Sequence, residues 1–243
     1  MKMRPGRDRR QFLQATAVLG VAGFAGARAD AMAEQEKKAK ETDGKGKEEE
    51  EVSPAEDLMR EHGVLKRVLL IYGESVGRLD SGRDLPAETV ADSAKIIRSF
   101  IEDYHEKLEQ DFLFPRFRKA NQLVDLVDVL YAQHQAGRRV TEETLRLSTA
   151  RALRDADDRR RLSDALKSFI RMYGPHEARE DTVLFPAFRK IVSAHEYAAL
   201  GEQFEDKEHE LFGEDGFEKM VDRVAGIEKK LGLYDLAQFT PKG

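Results

Sequence analysis

The residues with the clearest capacity for chemistry are histidines and glutamates that recur in one pattern. His105 is followed four positions later by Glu109, and His176 is followed four positions later by Glu180. In both segments the motif Phe-Pro-x-Phe-Arg-Lys begins nine positions after the histidine. The two segments are offset by 71 residues, which indicates an internal duplication of the chain.

Each copy of this repeat contains a second histidine, closer to the amino terminus. His62 precedes His105 by 43 positions, and His134 precedes His176 by 42 positions. Residues four apart on an α-helix lie on the same face. The histidine and glutamate of each H-x-x-x-E pattern can therefore point into one site, and packing of the helices can bring the single histidines to the same site.

Such a cluster inside a protein needs partners. Buried carboxylates and imidazoles are costly when nothing compensates them, and no lysine or arginine is expected on the inward-facing side of the helices near them. Two divalent cations would satisfy the cluster. A donor set of nitrogen and oxygen without sulfur suits iron or manganese, and it could also hold zinc. The sequence therefore predicts a two-metal site with these six ligands: His62, His105, Glu109, His134, His176 and Glu180.

The composition limits the other kinds of chemistry. The chain of 243 residues contains no cysteine, which excludes disulfides, thiolate zinc sites, iron–sulfur clusters and thiol catalysis. The net charge is −5 at pH 7. The chain therefore has no general electrostatic attraction to nucleic acid, and nucleic acid is not an expected partner.

Apolar residues at alternating steps of three and four positions predict four amphipathic helices that position these side chains. Ser53 and Pro54 are typical of a helix start. The other three helices are expected over roughly 86–114, 122–148 and 157–190. Because the connections between them are short, the pattern favours an all-α, up-down-up-down four-helix bundle with extra C-terminal helices.

The remaining segments suggest a division of the chain into four parts. Charged residues fill most of 34–53, which predicts a disordered linker. The bundle is expected over 54–215, which includes a further helical stretch at 202–212. Apolar residues at helical spacing then predict a C-terminal helical extension over 216–243.

The first part, 1–33, has the pattern of an export signal. A basic start with Arg9 and Arg10 precedes a short apolar run, and Ala-x-Ala cleavage patterns end at Ala29 and Ala33. The arginine pair resembles the twin-arginine export signal, which implies a periplasmic protein and leaves the cleavage site open between those two alanines. A membrane anchor is the alternative, although the apolar run is shorter than the ~20 residues that a spanning helix needs.

Several further residues are candidates for the site. Glu106 and Glu177 each follow a ligand histidine by one position, which turns the side chain about 100° away, so we expect them to be exposed, with terminal coordination as the alternative. Glu208 falls on the inward face of its predicted helix, and His209 lies one step off that face. Either could complete the coordination, whereas His195 is expected at the surface.

The order of these motifs resembles the hemerythrin-like HHE cation-binding domain over about residues 55–190. The resemblance implies a left-twisted four-helix bundle around a non-haem di-iron centre that two carboxylates bridge. Under this resemblance Glu109 and Glu180 would bridge the metals, and the terminal ligands would be His62, His105, His134 and His176. Oxygen-carrying members have a further histidine on the third helix, where this chain has Arg138, so one histidine ligand fewer is expected here.

The resemblance implies a di-iron protein that binds or senses O₂, NO or peroxide in the bacterial periplasm. A peroxidase-like or catalase-like enzyme is one alternative, and an iron storage or scavenging protein is another. Manganese or a mixed metal pair also remains open. The mature chain is expected to have no membrane span, and any protein partner is open.

Four tyrosines are expected to pack in the core, with the lining of a ligand pocket as the alternative: Tyr72, Tyr104, Tyr131 and Tyr173.

Overall fold

The computed structural model describes residues 53–241, and the first helix begins as predicted. Helix α1 spans Pro54–Ser81, and the Ser53 hydroxyl accepts a hydrogen bond from the backbone N–H of Glu56. A proline in the first turn suits this position because its missing N–H would have had no partner there. The helix ends at Gly82, whose φ of 69° is in the left-handed region that favours glycine.

Helix α2 runs through residues 87–120 and alternates between α-helical and π-helical turns. It continues past Phe114, where the predicted helix ended, and terminates at Asn121 with a φ of 51°. The five successive segments are Ala87–Ile96 (α), Ile97–His105 (π), Glu106–Leu108 (α), Glu109–Leu113 (π) and Phe114–Ala120 (α). Short π segments of this kind are frequent at functional sites.

Helix α3 spans Val124–Leu147, and helix α4 runs through residues 156–191 after a short 3₁₀ turn at Ala152–Arg154. Helix α4 consists of an α segment, a π segment and a second α segment: Ala156–Arg179, Glu180–Leu184 and Phe185–Ile191. Its π segment begins at Glu180, and the second π segment of α2 begins at Glu109. The duplication thus extends to the position of the wide turn in each copy.

The four helices form the predicted all-α bundle. Helices α1 and α3 each contact both α2 and α4, and no strand occurs among residues 53–241. Aromatic side chains fill much of the interior, and each contributes about 1.5–3 kcal/mol through burial. The largest fully buried ones include Tyr72, Phe100, Phe114, Phe117, Phe169 and Phe185.

Two further helices follow the bundle, α5 at Ala194–Phe212 and α6 at Gly216–Leu231. Helix α6 packs against α1, α2 and α5, and the Arg67 guanidinium donates two hydrogen bonds of 2.9 and 2.6 Å to the carboxylate of Glu228. A 3₁₀ turn at Leu236–Phe239 comes after it.

The predicted export signal at 1–33 lies outside the described residues, as does the predicted linker at 34–53 apart from Ser53. Within the part of the chain that is described, no helix has the length and apolar character needed to cross a membrane.

Candidate metal centre

The structure brings together all six side chains that the sequence predicts as metal ligands. All are buried, with at most 4 % of each residue exposed. They come from all four helices of the bundle: His62 from α1, His105 and Glu109 from α2, His134 from α3, and His176 and Glu180 from α4. The interior of the bundle therefore holds one cluster of imidazole and carboxylate groups.

The histidines of α1 and α2 form one pair beside the two glutamates. The ring centroids of His62 and His105 are 4.7 Å apart. The Nε2 atom of His62 is 3.4 Å from a carboxylate oxygen of Glu180, and that of His105 is 3.8 Å from an oxygen of Glu109. This pair thus faces one carboxylate from each copy of the repeat.

The histidines of α3 and α4 form a second pair on the other side of the same glutamates. Nε2 of His134 is 3.4 Å from an oxygen of Glu109, and Nε2 of His176 is 3.1 Å from an oxygen of Glu180. Ligand atoms of His134, His176 and Glu180 all lie within 4.8 Å of one another. Both carboxylates therefore reach both histidine pairs, an arrangement that suits two neighbouring cations.

Every imidazole of the cluster is held from behind through its Nδ1 atom. The four outer contacts are His62 to Asp181 at 2.7 Å, His105 to Glu61 at 2.7 Å, His134 to Gln110 at 2.8 Å, and His176 to Gln133 at 2.8 Å. Such contacts fix the ring orientation and, where the outer group accepts the Nδ1 proton, leave the Nε2 lone pair for a metal. The sequence analysis did not predict these four residues, although each one is adjacent in sequence to a predicted ligand.

The surroundings of the Glu109 and Glu180 carboxylates indicate whether cations would fit between them. None of their four oxygens accepts a hydrogen bond of normal geometry, and all are buried. Burial, together with repulsion by Glu180, raises the pKa of Glu109 well above its ordinary value. Burial also opposes ionisation of Glu180, but His176 and His62 face it and hold its pKa well below the ordinary value. Burying carboxylate oxygens without hydrogen-bond donors lowers the stability of the folded protein. Two cations bound between the two carboxylates would offset this cost.

Comparison with known proteins agrees with this donor set. The hemerythrin HHE cation binding domain model matches residues 53–149. Uncharacterised proteins of Mycobacterium tuberculosis and Mycobacterium bovis are 53% identical over 190 residues, which cover 78% of this chain and 74% of theirs. The chain belongs to the hemerythrin HHE cation-binding domain family. No solved structure matches it significantly.

The family match ends at residue 149, just after the third helix and before the second H-x-x-x-E pattern. His176 and Glu180 are therefore placed in the HHE centre by the duplication and by their distances to the other ligands.

The expectation that Glu106 and Glu177 are exposed was wrong, because both are buried. A cation from a neighbouring helix lies beside each of them. Arg138 donates a 2.9 Å hydrogen bond to Glu106, and the ammonium group of Lys66 is 3.9 Å from Glu177. Burial raises the pKa of Glu106 to about 8 and that of Glu177 to about 7. The sequence analysis expected no lysine or arginine on the inward-facing side of the helices near the ligands. Lys66 and Arg138 show that this expectation was wrong beside Glu177 and Glu106.

The two cations occupy equivalent positions in the duplication, four residues after His62 and His134. This spacing places Lys66 and Arg138 on the histidine-bearing faces of α1 and α3. It is the sequence signal that could have predicted the buried Glu106 and Glu177.

The other candidates have different surroundings. Glu208 accepts a 2.7 Å hydrogen bond from the backbone N–H of Phe217, which places its carboxylate at the first turn of α6. His209 is exposed, and His195 is exposed as expected. Of the four tyrosines, three are buried as expected, but Tyr131 is exposed. The Tyr173 hydroxyl donates a 2.6 Å hydrogen bond to Glu106.

A close approach between α3 and α4 allows this hydrogen bond. A Cβ atom at Gly137 would lie 2.9 Å from Cζ of Tyr173. We expect Gly137→Ala to displace the tyrosine and lower the free energy of unfolding by about 1–3 kcal/mol, as measured by urea denaturation. Gly73→Ala is the matched control because no atom lies within 4 Å of its added Cβ, and it should stabilise the protein by about 0.5–1 kcal/mol. Equal effects of the two variants would contradict this packing.

Metal binding should release protons at neutral pH. Burial alone would lower the pKa of His62, but its contacts with Asp181 and Glu180 raise it to about 9. The metal-free protein therefore carries a proton on His62, and Nε2 must lose that proton before it can bind a cation. We expect the Mn²⁺ dissociation constant to rise as the pH is lowered from about 8 to about 6, because protons compete for the site.

The number of protons released can be measured by calorimetry in buffers with different enthalpies of ionisation. His195→Ala is the control variant. It removes an exposed histidine and should leave the number of protons released on metal binding unchanged. A dissociation constant that does not vary with pH over this range would show that His62 is not protonated in the metal-free protein.

Proposed function

We propose that this HHE-domain protein holds two iron ions and binds or senses a small ligand such as O₂, NO or peroxide. The observation that carries the proposal is the pair of buried glutamates between two pairs of inward-facing histidine Nε2 atoms. Glu109 and Glu180 would span the two metals, and each histidine pair would hold one of them. Nitrogen and oxygen donors without sulfur favour iron or manganese over softer metals.

The number of donors supports ligand binding at the centre. For two metals the chain offers four imidazoles and the four oxygens of two carboxylates, whereas iron and manganese commonly take six ligands each in octahedral sites. Bound iron would supply the change of oxidation state and the open coordination position that binding of a small oxidant requires. This chain's residues would hold the metals and exclude bulk water from them.

The size of the ligand follows from the surroundings of the histidines. Phe185 stacks on the ring of His62 and Phe114 stacks on the ring of His134, each with centroids 5.5 Å apart. Both phenylalanines are fully buried. A ligand that reaches the centre must pass between tightly packed side chains, which favours a diatomic molecule or peroxide over a larger organic substrate.

Peroxide reduction is the second candidate function, and one contact favours it. Cleavage of peroxide consumes protons, and the buried Glu106 has a pKa of about 8, so it holds a proton at neutral pH. Glu106 directly follows His105 in sequence and is hydrogen-bonded to the hydroxyl of Tyr173. Glu106 would then supply one of the two protons that reduction of peroxide to water consumes, while the two electrons would come from the bound iron.

A periplasmic location is part of the proposal, supported by the arginine pair and the apolar run near the amino terminus. We expect the full chain to appear in the periplasmic fraction of a bacterium that has the twin-arginine pathway. Replacing Arg9→Lys and Arg10→Lys together should retain it in the cytoplasm, whereas Arg4→Lys and Arg7→Lys should not. Export of both double variants, or of neither, would contradict the twin-arginine signal.

The metal content tests the central claim. Protein that is reconstituted with ferrous iron under argon and desalted should contain about two iron ions per chain by mass spectrometry. Its absorption spectrum should change when air, NO or peroxide is added. Glu180→Gln should reduce the iron content, whereas His195→Ala, at an exposed histidine, should not. Less than about one transition-metal ion per chain after reconstitution would refute the two-metal centre.

The same samples separate the two candidate functions. A spectrum that returns when the ligand is removed supports a binding or sensing protein. Catalytic consumption of peroxide, strongly reduced in Glu106→Gln, supports the enzyme.

A further inference from the structure

The duplication places equivalent residues behind the histidines of each copy, but their charges differ. The position before the single histidine is Glu61 in the first copy and Gln133 in the second. The position after the glutamate of the H-x-x-x-E pattern is Gln110 in the first copy and Asp181 in the second. Each copy therefore contributes one carboxylate and one amide.

The packing of the helices sorts these groups by charge. Both carboxylates contact the same histidine pair, since Asp181 meets His62 and Glu61 meets His105. The two amides of Gln110 and Gln133 contact the other pair, His134 and His176. We call the first pair the carboxylate-backed position and the second pair the amide-backed position.

We infer that the two metal positions bind with unequal affinity and that the carboxylate-backed position, His62 and His105, fills first. The inference deepens the proposed function and rests on it. Glu61 and Asp181 act here as positioning residues that tune the ligand histidines and do not themselves bind the metal. At low metal supply the protein would then carry one metal, and the second would follow as the supply rises.

The physical reason is the charge behind the imidazole. A carboxylate that accepts the Nδ1 proton makes the ring a stronger donor and offsets part of the cation's charge, and loss of such a partner typically weakens metal binding about 10–100-fold. An amide oxygen orients the ring but brings no net charge. The amides of Gln110 and Gln133 contact the Nδ1 atoms of His134 and His176 in this uncharged form.

Glu61 should contribute more than Asp181 to the difference. Glu61 is buried, and its second oxygen has no hydrogen-bond partner, so water screens its charge poorly. Asp181 is partly exposed and lies 3.6 Å from the ammonium group of Lys66. Near the amide-backed position, Glu106 is paired with Arg138, so this pair adds no net negative charge whether or not Glu106 holds a proton.

Calorimetric titration of the full chain with Mn²⁺ under argon tests the inference at about pH 9, where protons compete little with the metal for His62. Two binding steps are expected, with dissociation constants that differ by about 10–100-fold. Glu61→Gln keeps the shape of the side chain and should weaken the tighter step about 10–100-fold while changing the weaker step much less. Glu56→Gln is the matched control because it removes an exposed carboxylate from the same helix, and it should change neither step.

Three further variants assign the two binding steps to the two positions and extend the test. His134→Ala should remove the weaker step and keep the tighter one, whereas His62→Ala should do the reverse. Gln133→Glu should tighten the weaker step because it places a carboxylate behind His176. Circular dichroism checks that each variant retains its helices, and Glu61→Gln carries the test even if a histidine variant fails to fold.

The outcomes separate this inference from the proposed function. Two ions bound with equal affinity, or equal effects of Glu61→Gln and Glu56→Gln, would overturn the inference and leave the two-metal centre intact. A tighter step that disappears in His134→Ala would also overturn it. If neither Mn²⁺ nor ferrous iron binds, the proposed function itself fails.

Discussion

The architecture of this protein depends on the contact between two carboxylates inside a dry helical bundle. Glu109 and Glu180 are fully buried, lie between the same two histidine pairs and receive no normal hydrogen bond. Like charges in such a place repel each other strongly because the interior screens them weakly. Four imidazoles surround the pair. Burial and repulsion by Glu180 raise the pKa of Glu109, whereas His176 and His62 hold the pKa of Glu180 below its ordinary value. The bundle is thus arranged for positive charge supplied from outside the chain.

The duplication explains how one short sequence pattern builds such a site. Each helix pair contributes half of the donors, and neither half is complete without the other, because Glu180 from α4 reaches His62 on α1 and Glu109 from α2 reaches His134 on α3. Two of the four contacts behind the rings also cross between the copies, Asp181 to His62 and Gln110 to His134. The other two, from Glu61 and Gln133, stay within one copy. Folding of the bundle and formation of the site are therefore one event, and metal bound only by the folded state would stabilise it.

The sequence was sufficient to predict the helices, the bundle and the residues that meet at its centre. Helical periodicity defines which residues face inward, and His62 and His134 lie on those faces. The sequence analysis did not predict the burial of Glu106, because that prediction assumed a turn of 100° per residue throughout and no cation on the adjoining helix. The partners of the Nδ1 atoms were also missed, since they depend on the relative rotation of different helices, which periodicity within one helix does not determine.

The wide turns explain why neighbouring residues can serve the same histidine. A π turn contains more residues than an α turn, so successive side chains diverge less in direction. Glu180 and Asp181 accordingly contact opposite nitrogens of His62. Each wide turn leads directly into a Phe-Pro pair, and the prolines, Pro115 and Pro186, have no N–H with which to close a regular α-helical hydrogen bond. The Phe-Pro-x-Phe-Arg-Lys motif thus favours a π turn with one extra residue in each of these helices. That extra residue lets two consecutive side chains contact the two nitrogens of one imidazole ring.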